Sequence, residues 1–235
     1  MSEMDFLYTF GPISLGMFAA LTIATYCWKK TRAASLTILM WFAVAAVVSQ
    51  FTFFPEGITS DLEAIIRFSA FGSLTFGPAA VLIFMVLKVS SFKSAMKKIP
   101  TSALVLTQSY RIGGVFLILA FLKGDLPTEI GLVSGIMDVT VAITAVTLAI
   151  IMKTNKTVSP RLLITWATFS LLDFSWATAI KFATYFGAIE LSTSASMLGN
   201  PPLSIISLFA LPFGIFVSVY VIIRSKDTLA RVKNL

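Results

Sequence analysis

The chain has 235 residues and a formal net charge of +7; 57% of its residues are hydrophobic and only 12% are charged. A water-soluble domain carries roughly 25% charged residues, so a soluble globule and a disordered chain are both excluded. One cysteine and no histidine exclude a disulfide framework, a Cys/His zinc site, an axial-histidine haem and a Ser-His-Asp triad.

A run of about 20 apolar residues crosses a bilayer as a helix. Seven such runs occur, at Tyr8–Trp28, Ser35–Phe54, Leu62–Lys88, Ser102–Leu122, Glu129–Met152, Arg161–Tyr185 and Pro201–Arg224. They predict an all-α fold, a seven-transmembrane-helix bundle forming a single domain over residues 1–235. Glu3 and Asp5 precede the first run, with no basic stretch and no small-residue cleavage pattern, so it reads as a retained span and not a signal peptide. Tyr8 and Trp28 mark its two ends as interface aromatics. Ser60-Asp61-Leu62-Glu63 is a capping-box pattern that opens span three, with Arg67 placed to pair with Glu63. Pro100, Pro160 and Pro201-Pro202 sit where first-turn prolines begin spans four, six and seven. Two prolines lie mid-span: Pro78 after Gly77, and Pro212 two residues before Gly214. Each removes a backbone hydrogen bond and predicts a hinge.

Spans three and seven share a pattern: Leu74-Thr75-Phe76-Gly77 runs on to Lys88, and Leu211-Pro212-Phe213-Gly214 runs on to Arg224. Trp41 and Trp166 take comparable places in spans two and six. This suggests a 3+1+3 arrangement, with parallel repeats over 8–88 and 129–224 joined by a linker helix over 102–122. In layout alone it is similar to SWEET-type sugar transporters and to microbial rhodopsins. The proline-glutamine signature of the first group is absent, and span seven has no lysine for the Schiff base of the second.

Orientation follows from the basic residues. Alternate connections hold Lys29, Lys30 and Arg32; Lys88, Lys93, Lys97 and Lys98; Lys153, Lys156 and Arg161; and the tail holds Arg224, Lys226, Arg231 and Lys233. The opposite side collects Glu3, Asp5, Glu56, Asp61, Glu63, Asp125, Glu129 and Glu190. The N-terminus is expected outside and the C-terminus in the cytoplasm, in a multi-pass protein of the plasma (inner) membrane. The positive charge then belongs to the cytoplasmic face, where anionic lipid heads attract it; no basic domain for nucleic acid exists.

Three ionisable residues fall deep inside spans. Arg111 lies near the middle of span four. Asp138 lies nine residues in from Glu129, about 13–14 Å at 1.5 Å per residue, and Asp173 reaches a similar depth from the other direction. Each would cost roughly 2.5–3.5 kcal/mol facing lipid at a helix centre, so the three are expected to face inward and meet. Gly131, Gly135, Asp138, Ala142, Ala145 and Ala149 share one face of span five, a small-residue stripe that permits close helix approach. Gln108, Arg111 and Gly114 line up on span four. The pattern Gln108-x-x-Arg111-x-x-Gly114, Gly135-x-x-Asp138 and Leu171-Leu172-Asp173 resembles an uncharacterised family of small bacterial polytopic integral membrane proteins. The resemblance covers the C-terminal half and implies no activity.

Two readings of the cluster stand side by side. In one, Arg111 between two carboxylates fixes helix register. In the other, the cluster sums to −1, so two carboxylates sharing one Arg do not both ionise easily. A carboxylate that loads and unloads a proton or cation at the midplane then drives a small transporter or permeation protein. There Asp138, Asp173, Arg111 and Gln108 are the coupling or substrate residues, Pro78 and Pro212 the hinges. Three further classes stay open, one of them a sensory or scaffolding role, which tails too short for a signalling domain disfavour. Paired carboxylates could belong to an intramembrane aspartyl protease, but Met137 replaces the glycine expected before Asp138, and Arg111 would hold both carboxylates ionised. An apolar-ligand or pigment pocket could use Trp166, Phe169, Trp176 and Lys181, although Lys181 also fits a snorkelling anchor. No cofactor and no metal is predicted. The expected partners are the lipid bilayer and a small molecule or ion, and assembly with identical copies stays open.

Overall fold

The computed structural model describes residues 3–28, 32–53, 61–154, 157–185, 188–191, 193, 196–201 and 203–233. Lys29, Lys30, Phe54, Glu56, Ser60, Lys156 and Pro202 lie outside that set, as do the side chains of Glu3, Asp5, Tyr8, Trp28, Asp61, Arg231 and Lys233. Among the described residues the protein is all-helical. In chain order the helices are α1 (Glu3–Trp28), α2 (Arg32–Val48), α3 (Asp61–Lys88), α4 (Ser90–Lys97), α5 (Thr101–Thr107), α6 (Gly114–Lys123), α7 (Gly135–Lys153), α8 (Pro160–Tyr185) and α9 (Leu211–Lys233).

Among the described residues five of the seven expected spans are helical runs long and apolar enough to cross a membrane: Leu62–Lys88, Thr101–Lys123, Glu129–Lys153, Pro160–Thr184 and Ile206–Ala230. Two apolar stretches, Phe10–Thr25 and Ser35–Val48, are shorter. Met40, Val81, Phe84, Ile143 and Leu172 face outward. Exposed apolar surface on that scale suits contact with lipid better than contact with water.

Three spans depart from the uniform helices that the apolar runs predict. Span four is α5, a 3₁₀ stretch over Gln108–Gly113, and α6. The Gly113-Gly114 pair is poor helix former on a helix that must also turn Tyr110 and Arg111 inward. Span five opens with a π-helical turn over Glu129–Ser134, and span seven with another over Ile206–Ala210. The latter ends immediately before Leu211-Pro212, where proline withholds its N–H. The connection after span three contains the short helix α4, which the apolar-run reading leaves as a loop. Its sequence is amphipathic: Phe92 and Met96 pack inward while Lys97 stays exposed.

Local chemistry fixes several ends. α8 begins at Pro160, as a first-turn proline should. Arg67 donates to Glu63 at 2.8 Å, an exposed pair of little energetic weight. α6 stops at Gly124, whose φ of 82° suits glycine, and the Asp125 N–H reaches back to the Ala120 carbonyl at 2.9 Å.

α9 packs against both α8 and α3. Its Phe213 and the preceding Phe209 stack at 5.5 Å, Trp41 of α2 lies 4.9 Å from Phe209, and Tyr110 lies 5.7 Å from Phe213. This aromatic core holds the N-terminal helices onto span four. On the α7–α8 side, Trp166 Nε1 donates to Thr144 Oγ1 at 3.0 Å. Trp166→Phe keeps most of the ring volume but loses that bond, so a stability loss of about 0.5–1.5 kcal/mol is expected. Thermal unfolding in detergent checks it: Thr144→Val should give a similar loss, and the double variant little more.

Candidate functional site

The site is built on a backbone contact between spans four and five. A Cβ added at Gly114 would lie 2.5 Å from both Asp138 Cβ and the Gly135 carbonyl oxygen. One added at Gly135 would lie 2.6 Å from Ile118 Cγ1, and one at Gly131 would lie 2.6 Å from Phe121 Cβ. The small-residue stripe therefore closes α7 onto α6 at van der Waals distance. The same contact brings Asp138 against the 3₁₀ stretch that carries Arg111.

Arg111 is the hub. Its Nε donates to Asp138 Oδ1 at 2.5 Å, and its Nη2 donates to Asp173 Oδ2. Its Nη1 donates to Ser170 Oγ at 2.5 Å and to the Ser170 carbonyl at 3.3 Å. Phe174 completes the enclosure, with its ring centroid 4.1 Å from Arg111 Cζ. Each nitrogen of the guanidinium fork thus donates to an acceptor while one face meets an aromatic ring, a geometry that an ammonium could not reproduce. The Arg111 and Asp173 side chains are 1% and 2% exposed and Asp138 is 14% exposed, so these are buried, charge-assisted bonds.

Neighbouring hydroxyls tie the hub to α9. Ser170 Oγ and Ser218 Oγ are 2.9 Å apart and share a hydrogen bond. The Tyr110 hydroxyl donates to the Ala210 carbonyl at 2.5 Å, in the π-helical turn before Pro212. Gly214 leaves the room for this: a Cβ there would lie 2.4 Å from Phe174 Cζ and 2.6 Å from the Tyr110 hydroxyl.

The structure brings together Arg111, Asp138 and Asp173. Gln108 is buried one 3₁₀ turn away, and neither end of its amide has a hydrogen-bond partner. The candidate pocket residues go to different neighbours. Trp166 turns to Thr144, Phe169 packs on the main core, and Trp176 Nε1 donates to the Glu129 carbonyl at 2.8 Å. Lys181 Nζ lies over the Phe71 ring, 5.1 Å from its centroid. Pro78 lies inside α3, and Pro212 is the second residue of α9. Ser170, Phe174 and Tyr110 escaped the sequence reading. For Ser170 a signal existed: it stands three residues before Asp173, a polar group on the same face of an otherwise apolar helix.

Small cavities flank the cluster. One of about 40 Å³ is lined by Tyr110, Arg111, Asp138 and Phe174 together with Pro12 and Leu15 of α1. Another, of about 60 Å³, is lined by Ser134, Asp138, Asp173, Thr178, Lys181 and Ser207. Asp173 lines this second wall, and its Oδ1 has no hydrogen-bond partner among the described residues. A polar cluster with a spare carboxylate oxygen beside a cavity is chemically able to exchange a proton or to bind a small polar species.

A family model described as Domain of unknown function (DUF8737) matches residues 65–224. The chain belongs to that family. The match runs from early α3 to well inside α9 and so includes Arg111, Asp138 and Asp173. Neither the curated proteins nor the solved structures contain a match.

Proposed function

We propose that this chain is a seven-helix membrane protein, N-terminus outside and C-terminus cytoplasmic, that couples the movement of a proton or cation to the passage of a small molecule or ion. The alternation of basic and acidic connections supports the orientation, with α1 and α2 as the two further crossings. The plasma (inner) membrane is the membrane that the reading implies. The observation that carries the function is the unpartnered Oδ1 of Asp173, 2% exposed as a residue and set in a cavity wall shared with Asp138 and Ser134. A purely structural pair has no need of an idle carboxylate oxygen, since burying one without a partner is costly. In this reading Asp173 loads and unloads, Arg111 and Asp138 hold the counter-charge, and Pro78 and Pro212 let spans three and seven bend.

A second reading has its own support. Arg111 ties α7 and α8 to span four through two carboxylates and Ser170, as a register-fixing device would. Thermal unfolding of the detergent-purified protein, across pH and a panel of small ions and metabolites, separates the two. A bound ligand raises stability by RT ln(1 + [L]/Kd). The expected result is a shift for one compound that disappears in Asp173→Asn and Asp138→Asn, both of which still insert and fold. No shift for any compound, with Asp173→Asn melting earlier at every pH, would favour the register device.

A further inference from the structure

We infer that the ion exchanged at the cluster is a proton, and that it reaches Asp173 along a short water-holding path running between α3 and α8 past Lys181. The inference rests on the transport reading above and specifies its coupling ion.

Two cavities lie in series here and share four wall residues: Thr178, Lys181, Ser207 and Leu211. The one against α3 measures about 40 Å³ and is lined there by Phe68, Phe71 and Thr75. The other, of about 60 Å³, ends on Ser134, Asp138 and Asp173. With each water occupying about 10–15 Å³ by this kind of measure, both have room for a few molecules. Their walls ask for water. Thr75 Oγ1 in the first, and Ser134 Oγ and Asp173 Oδ1 in the second, are buried without a hydrogen-bond partner, and their residues are 3%, 3% and 2% exposed. Buried polar atoms in native proteins are satisfied by protein or by ordered water. Thr75 Oγ1 at one end and the neighbouring Ser134 Oγ and Asp173 carboxylate at the other, with the Thr178 hydroxyl and the Ser207 oxygen (whose own O–H donates to the Leu198 carbonyl) between, make a row of polar groups that water can join.

The charges along the row select the ion. Lys181 lines both cavities, so anything on its way to Asp173 must pass its amine, which relays a proton when neutral and repels a metal cation when protonated. Lys181 sits over the Phe71 ring, and the Phe68 and Phe182 rings meet edge-on at 5.0 Å beside the same cavity. Arg111 lies at the far end. A proton passes between water, hydroxyl and amine by exchange of hydrogen bonds. It adds to Asp173 Oδ1 as an O–H bond and leaves by the same bond, while Arg111 remains paired with Asp138. The ionisable groups that face Asp173 are Arg111 and Tyr110 from span four, Asp138 from α7 and Lys181 from α8 itself; α3 and α9 line the path only with hydroxyl, apolar and aromatic side chains.

Two measurements test this. In a Cys27→Ser background, Thr75→Cys and Thr178→Cys are reconstituted into vesicles and exposed to hydrogen peroxide, an uncharged oxidant close to water in size that converts a thiolate to a sulfenic acid, with lipid-facing Leu172→Cys as the control. Both path cysteines are expected to react about tenfold faster than the control, because the reactive thiolate forms only where water reaches the sulfur. Equal rates at all three positions would overturn the path. In vesicles carrying a pH-sensitive dye, an imposed pH gradient is expected to collapse faster with the protein than without it. The rate should be unchanged when NaCl replaces choline chloride, reduced in Lys181→Met and lost in Asp173→Asn. A flux that needs Na⁺ would overturn the proton while leaving the transport reading in place. If Asp173→Asn changed neither this flux nor any ligand-induced shift in unfolding, the transport reading would fall with it.

Discussion

Arg111→Leu is expected to leave little correctly folded protein in detergent. The substitution strands Asp138 and Asp173 in the buried interior without their shared cation, and removing one partner of a buried pair costs about 3–5 kcal/mol. That is a large fraction of a typical total stability of about 5–15 kcal/mol. Size-exclusion profiles and thermal unfolding of the variant read the loss directly. The Asn variants behave differently for a reason of charge. Asp173→Asn leaves Arg111 paired with Asp138 and removes one negative charge from the cluster, so the fold should survive while proton exchange does not. A triple variant, Arg111→Gln with Asp138→Asn and Asp173→Asn, should recover much of the folded yield lost by Arg111→Leu, because neutral amides can hydrogen-bond without a counter-ion. Wild-type melting for Arg111→Leu would mean that the three charges are not closed on one another in the membrane.

The second large effect is expected from a single methyl group. Gly114→Ala places a Cβ 2.5 Å from the Gly135 carbonyl oxygen and from Asp138 Cβ, and the backbone contact cannot be relieved by a side-chain rotation. Overpacking of this kind costs about 1–3 kcal/mol, and the displacement also stretches the Asp138–Arg111 bond. Gly114→Val should therefore lose both stability and ligand-induced shifts. Gly72→Ala and Gly77→Ala are the matched controls. Both positions lie in α3, where an added Cβ meets nothing within 4 Å, and replacing a helical glycine by alanine stabilises by about 0.5–1 kcal/mol. If all these variants melted alike, the close approach of α6 and α7 would be refuted.

Much of this arrangement was legible from residue types. Arg111, Asp138 and Asp173 announced their meeting because charge at membrane depth has so few places to go, and the glycines at 114, 131 and 135 announced which helices would touch. The apolar runs located every long helix but could not show its internal geometry. Nothing in the hydropathy of span four marks the 3₁₀ stretch over Gln108–Gly113, which depends on where Tyr110 and Arg111 find partners in other spans. The aromatic residues were the least legible. Trp166, Phe169 and Trp176 occupy one sequence neighbourhood, yet each is assigned by a different tertiary neighbour: Thr144, the main core and the Glu129 carbonyl. α4 was missed because eight residues with three apolar positions fall below any membrane-span pattern.

In the membrane topology proposed above, the glycine contact between spans four and five has a consequence for biogenesis. A chain released into a bilayer one helix at a time would expose Arg111 to lipid with no counter-charge. Gly124 instead turns α6 back toward α7 over a short connection, and the backbones of the two helices then meet at Gly114 and Gly135. The pair can leave the translocation machinery as one closed hairpin, in which Arg111 is already neutralised by Asp138. Asp173 arrives one helix later, at a guanidinium whose remaining N–H groups already point toward it. The order of the three charges along the chain thus spares the bilayer an isolated arginine.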